Sequence, residues 1–346
     1  VSNQLLAPLL SLIPAAVYAG LAGAFRPDPA LRAAWRRGPH IARSRGDGSD
    51  FHEHRHYEPG DDLRRLDWRA IARHEKNVVR ETQREVLAPL LVVVDAGGSM
   101  AYGDETASTS PLLNKWRTTQ ALAAALLAIV RKHGDPIGAL VSSNGRVFAQ
   151  AARPSLRVDQ IQLLAQALRE KQCLGVCDWN KLFVQIRNVD LHNTTVVIIS
   201  DFLDFRQQAD EDPEERDRWF ARELSRLRSQ ALALNLVQVL HRDEITFPFA
   251  TNLLGDDVIE LHDPHGLAPM KVGQAEQMRA TYLQRMYTHL ERQHLEWSAL
   301  GIGHYRHVSD EPLARTILDL AARNPASLAA LASDGTPLQT KVQVAR

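Results

Sequence analysis

Asp95, Ser99, Ser200 and Asp201 are the side chains best placed to do chemistry. Each lies just beyond a run of apolar residues. Leu90–Val94 precedes Asp95, and Val196–Ile199 precedes Ser200-Asp201. Short apolar runs of this kind read as buried strands of a parallel sheet. Open α/β sheets place their ligands beyond the carboxyl ends of the strands. Two parallel strands could therefore bring these carboxylates and hydroxyls to one rim. Hard oxygen donors suit a divalent cation. The plainer reading is a strand-end aspartate that caps a turn or the next helix.

The loop Asp95-Ala96-Gly97-Gly98-Ser99, with the later Asp201, resembles that of a von Willebrand factor A-type domain. The resemblance implies an Asp-x-Ser-x-Ser cation loop, with Asp95, Ser99 and Asp201 as metal ligands. Gly97 stands where the middle serine would be and supplies no side-chain oxygen. Magnesium demands nearly octahedral oxygen coordination. The expectation is a degenerate site that binds Mg2+ or Mn2+ weakly or not at all. No clear threonine follows in the later loop; Ser142, Ser143 and Ser155 are weak substitutes.

The densest polar stretch is Phe51–Glu85. It holds the run Arg55-x-Tyr57-x-Pro59-Gly60-Asp61-Asp62, then Leu66-Asp67-Trp68 and Ala72-Arg73. Pro59 fixes φ and Gly60 allows positive φ, so Glu58–Asp62 reads as a turn. Asp61 or Asp62 can cap a helix starting near Leu63. This run, followed by Val79-Arg80-Glu81, closely resembles the signature of the DUF58 family. The likeness covers about residues 45–325. It implies a von Willebrand factor A-like fold: an open, mostly parallel α/β sheet flanked by helices, with an extra N-terminal β-containing region. It also implies a partner, a MoxR-type AAA+ ATPase. Lys115 matches a frequent family position. It lies near the cation rim, or on the surface with its stem along apolar neighbours. The residues expected to meet the partner are Asp95, Ser99, Lys115, Asp201 and Asp204.

Those residues need a scaffold, and 346 residues suffice for one large α/β domain with a smaller part. The expected division is residues 1–45, helical segments and a basic connector; 46–87, the signature region; 88–325, the A-like domain with an insertion at 243–300; and 326–346, a tail. Helices are read at Lys115–Lys132, Val158–Glu170 and Leu313–Ala322, a long helical pattern at Gln274–Leu300, and a hairpin turn at Asn144-Gly145. Ser110 with Pro111 reads as a helix start, and Gly46–Ser49 as a turn.

Forty-one basic and 41 acidic residues cancel, so bulk charge gives no reason to expect a nucleic-acid partner. The arginine-rich stretch Arg26–Arg45 keeps nucleic acid as a rival and allows peripheral contact with an anionic membrane. Residues 1–25 carry no charge, but Pro8, Pro14, Gly20 and Gly23 interrupt them. Helical segments lying on the domain are preferred to a membrane anchor. The two cysteines, Cys173 and Cys177, fit a reducing cytoplasm better than a secreted scaffold. Alternate histidines His52, His54 and His56 would share one strand face, a candidate metal triplet. There is no G-x-x-x-x-G-K loop and no G-x-S-x-G elbow. The reading is a non-enzymatic interaction module. A divalent-cation-dependent hydrolase is the alternative. Asp67, packed among arginines with Trp68, is expected to matter more for stability than Lys115.

Overall fold

A computed structural model describes residues 3–21, 45–57, 66–67, 78–83, 87–103, 114–170, 173–203, 213–247, 259–261, 270–272 and 275–322. Two compact units are present. One combines Val1–Gly38 with Ala88–Arg346, and the other is Pro39–Leu87.

The larger unit opens with helices α1 (Asn3–Leu10) and α2 (Ala15–Gly20). Leu6, Leu9 and Ile13 are buried at helical spacing. Within residues 3–21, the uncharged N-terminal stretch therefore packs on the larger unit's own helices. No helix among the described residues is long and apolar enough to cross a membrane.

The smaller unit holds β1 (Arg45–His56) and β2 (Val78–Gln83), paired antiparallel. The expected turn at Gly46–Ser49 lies inside β1 instead. Arg45 and Asp50 both face Gln83, so the intervening residues form an irregularity rather than a chain reversal. A second register shift falls between Phe51 and Glu53. The even alternation on which the His52, His54 and His56 triplet depends is therefore not continuous. Pro59 to Asp62, Trp68, Arg73 and the helix expected near Leu63 lie outside the described residues. So does Arg26–Arg45, apart from Arg45.

A six-stranded sheet forms the centre of the larger unit. Its strands are β3 (Leu90–Asp95), β4 (Ile137–Ser143), β5 (Arg146–Phe148), β6 (Thr195–Ser200), β7 (Ala233–Leu240) and, later in the chain, Gly303–Val308. All neighbours run parallel except β5, which returns antiparallel from β4. Asn144 and Gly145, both at positive φ, make the tight turn between them. Between the strands lie α3 (Lys115–Lys132), α4 (Val158–Glu170), α5 (Trp179–Arg187), α6 (Pro213–Gln230) and a short α7 (Arg242–Thr246). A separate hairpin joins β8 (Ile259–Leu261) to β9 (Met270–Val272). The long α8 (Ala275–Ala299) then leads to β10, the Gly303–Val308 strand, and to α9 (Leu313–Ala322).

Alternation along each strand feeds two cores. Val92, Val94, Val197, Ile199, Val237 and Val239 pack with α1, α3, α4 and α9. Leu91, Val93, Val196, Ile198, Leu234 and Leu236 pack with α5 and α6. Burial on both faces explains why these strands are apolar throughout. α3 carries a run of alanines that lets it sit close against the sheet, with nearly every residue buried. Its start at Lys115 is the expected one. Asn114 is the N-cap, its side chain accepting from Arg117 N at 3.1 Å. Ser110 and Pro111 lie outside the described residues.

Candidate functional site

The rim at the carboxyl ends of β3, β6 and β7 is built by strand register. Leu90 to Val94 stand opposite Thr195 to Ile199, so Asp95 comes level with Ser200. Asp201 is one residue further on. A one-residue offset turns a side chain to the other sheet face. Asp95 therefore continues the α5–α6 face, and Asp201 turns toward α3.

On the first face, both oxygens of Asp95 are engaged. Oδ1 accepts from Gly97 N and Oδ2 from the Ser200 hydroxyl, each at 2.8 Å. The Cys177 thiol donates to Ser142 Oγ at 3.3 Å, close enough to this carboxyl to feel its charge. Burial, with Asp201 nearby, pushes the Asp95 carboxyl up to about 6. Burial and the Asp95 charge likewise push the Cys177 thiol well up, which makes it a poor nucleophile. The loop carrying Cys177 is stitched to the strand end: Gly98 N donates to Gly175 O at 2.7 Å and Leu174 N to Ala96 O at 3.2 Å.

On the second face lies an ionic group. Lys115, the first residue of α3, is 0% exposed. Its Nζ is 2.8 Å from Asp201 Oδ2 and 2.8 Å from Glu244 Oε1. The surface alternative for Lys115 is thus corrected: two carboxylates hold its ammonium inside. Burial opposes charge on Lys115, but Asp201 and Glu244 outweigh it and raise its pKa. Burial also opposes charge on Asp201. The Lys115 ammonium outweighs it there, helped by hydrogen bonds from Lys115, Ser99 and Leu203 N, and the Asp201 pKa is lowered. Glu244 Oε2 accepts from His241 N at 2.7 Å, closing a capping box on α7.

The backbone after Asp201 is held as firmly. Phe202 sits at φ 51, a region costly for a bulky side chain. Its ring is locked against Trp179 and Trp297 at 5.8 and 5.2 Å. Gln238 Nε2 donates to Asp201 O at 2.8 Å and to Gln293 Oε1 at 3.1 Å, while Gln293 Nε2 donates to Phe202 O at 2.9 Å.

These residues do not fit a magnesium ion of the kind the loop resemblance implies. The ammonium of Lys115 already supplies the positive charge against Asp201. Gly97 offers no oxygen, and a Cβ there would sit 3.1 Å from Asp95 Oδ1 and 3.6 Å from Cys177 N, so even a serine would crowd the carboxylate. Among the described residues, no group of three or more His, Cys, Asp or Glu could hold a metal.

The structure thus gathers Asp95, Ser99, Lys115, Ser200 and Asp201 around one rim. Asp95 and Asp201 are 4% and 2% exposed, and with Lys115 they act beneath the surface. Ser99 is partly exposed, and Tyr102 is 37% exposed, edge-on to His241 at 5.0 Å. Asp204 lies outside the described residues. In the smaller unit Tyr57 and Asp67 are half-buried, and Arg55 lies in β1. Sequence reasoning missed Glu244, Cys177, Gln238 and Gln293 as members of the site. Glu244 carried a readable signal, since it stands three residues after His241 at a strand end, the spacing of a capping box. Cys177 carried none.

Comparisons with known proteins agree with the signature. The family model described as "Protein of unknown function DUF58" matches residues 53–292. Uncharacterized proteins of Mycobacterium bovis and Mycobacterium tuberculosis are 29% identical over 191 residues, covering 51% of this chain and 58% of theirs. The chain thus spans a little over half the length of these bacterial relatives. Among solved structures, the SpRpn10 VWA domain aligns at 10% identity and a TM-score of 0.34, over 70% of this chain and 97% of that one. The PilB minor pilin from Streptococcus sanguinis aligns at 10% identity and 0.37, over 76% and 67%. The family match spans well over half of the chain and includes the strand-end rim, and on that ground the chain belongs to the DUF58 family.

Proposed function

We propose that this chain is a non-enzymatic interaction module, acting in the cytoplasm, whose partner is a MoxR-type AAA+ ATPase. The observation that carries the reading is the internal use of Asp95, Lys115, Asp201 and Cys177, the buried reactive groups of the rim among the described residues. Asp201 is bound by Lys115, and Asp95 by Ser200 and Gly97. Cys177 holds its proton. Groups so committed stiffen a platform. Rigid strand ends can present neighbouring side chains at little ordering cost. The partner-facing part of the rim is then Ser99, Tyr102 and the exposed side of α7, with the buried acids and Lys115 supporting them. Exposed tyrosines are frequent anchors of interfaces.

The test is co-purification with a MoxR-type AAA+ ATPase from the same organism. Tyr102→Ala should lower retention by about tenfold, equal to ~1.4 kcal/mol, with an unchanged thermal melt. Undiminished retention by the folded variant would remove this rim as the contact. Hydrolysis of a small substrate by the native chain that is lost in a folded Asp95→Asn variant would favour the hydrolase instead.

A further inference from the structure

We propose that the Glu244 carboxylate is an exchangeable ligand of the Lys115 ammonium, and that an acidic side chain of the protein partner takes its place. This deepens the interaction reading and rests on it. The first argument is charge. One ammonium faces two carboxylates, each at 2.8 Å. Asp201 alone would balance it, so the second carboxylate is surplus. If Glu244 leaves, a neutral pair remains inside and a charge goes back to water. If Asp201 leaves, the charge stays buried. Burying unbalanced charge is what proteins avoid.

The second argument is attachment. Asp201 is held by Lys115, Ser99 and Leu203 N, with its own carbonyl tied by Gln238. Its side chain is 3% exposed, against 17% for Glu244. Besides Lys115, the Glu244 carboxylate is held by His241 N at 2.7 Å, and it rides on α7, a five-residue helix with no fully buried residue. Side chains of α8 hold α7 from outside. Tyr282 Oη donates to Glu244 O at 2.8 Å, Tyr287 Oη to Ile245 O at 3.3 Å, and Arg279 to Thr246 O and Phe247 O at 3.1 and 3.2 Å. Arg242 adds an exposed pair with Asp310 at 2.9 Å. The Tyr287 and Arg242 contacts are exposed, where a partner can compete for them, and those of Tyr282 and Arg279 are part-buried. Tyr287 is 54% exposed. Tyr102 packs edge-on to His241, the N-cap of α7, at 5.0 Å, so it borders the same edge of the group. Glu244 itself shows that the Lys115 ammonium accepts a second carboxylate on this side.

The probe is sodium acetate, titrated at constant ionic strength with chloride into the full chain. The readout is the nitrogen resonance of the Lys115 ammonium, assigned by its loss in Lys115→Met. In Glu244→Gln the slot has lost its charged occupant. Acetate should shift the resonance saturably, with a half-saturation at least about tenfold below that of the native chain, because the native slot is closed for all but a small fraction of the time. The same variant should retain the ATPase about tenfold better than the native chain, again by removing the closed state. Glu244→Ala serves if the glutamine variant fails to fold. Equal half-saturation in the native chain and a folded variant overturns the exchange, as does the lack of any saturable shift in that variant. If the exchange fails while Tyr102→Ala still lowers retention, the interaction reading stands alone. If acetate exchanges but neither Tyr102→Ala nor Glu244→Gln alters retention, the partner does not use this slot and the proposal falls.

Discussion

Asp95 and Asp201 end neighbouring parallel strands, both are buried, and both were read from sequence as ligands of one site. Their chemistry has opposite sign. The Asp95 carboxyl is pushed up to about 6 by burial among neutral donors, with a like charge nearby. That of Asp201 is lowered because the Lys115 ammonium overcomes the same burial. Residue type and depth are equal, so the difference lies in what each faces. The register of β3 against β6 turns Asp95 toward Ser200 and Cys177, and Asp201 toward α3. A buried acid is set by its partner more than by its depth.

The largest expected effect comes from removing the ammonium that separates the two. Lys115→Met leaves Asp201 buried, and Glu244 half-buried beside it, without a counter-charge, and should cost about 3–5 kcal/mol in a denaturant melt. Adding Asp201→Asn should recover part of that loss, since the two residues share one interaction. A loss below ~1 kcal/mol would mean that the pair is solvated. This reverses the order expected from sequence, where Asp67 ranked above Lys115. A direct comparison of Asp67→Ala and Lys115→Ala checks it.

Next in size is the pH dependence. Between pH 3.8 and about 6 the folded chain keeps the Asp95 proton, whereas the unfolded chain has released it. Asp95 therefore adds stability as the pH falls through that window and penalises the fold above it. Asp201 works in the other direction. Its pKa is lowered, so its contribution is present above 3.8 and is lost as the pH falls through its folded value. Asp95→Asn should raise stability by about 2 kcal/mol at pH 8 and by little near pH 4. A variant melt parallel to the native one across this range would show that folding does not raise the Asp95 pKa.

Smallest is the crowding at Gly97. Gly97→Ser puts a Cβ 3.1 Å from Asp95 Oδ1. A loss of about 1 kcal/mol is expected from overpacking, with no heat of magnesium binding in calorimetry. Tight magnesium binding by the serine variant would show that the site lacked only that ligand, and would restore the cation reading.

Much of the scaffold was legible. The helices Lys115–Lys132, Val158–Glu170 and Leu313–Ala322 were readable because periodic apolar patterns and clear stops are local signals. The Asn144-Gly145 turn was readable because two residues at positive φ call for those types. Gly46–Ser49 misled because glycines mark irregular strand pairing as well as chain reversals.

By itself the sequence determined the family signature, the strand ends that carry Asp95 and Asp201, and the gap at Gly97. Each is written in contiguous residues. Tertiary structure alone decided which carboxylate meets which partner. Lys115 meets Asp201 across 86 positions and Glu244 across 129, and Ser200 meets Asp95 across 105. Strand register and the docking of α3 and α7 set those encounters. No local pattern of side chains encodes the sheet face on which a strand-end residue emerges relative to a neighbouring strand. The same sequence motif thus reads as a cation loop along the chain and closes on a lysine in space.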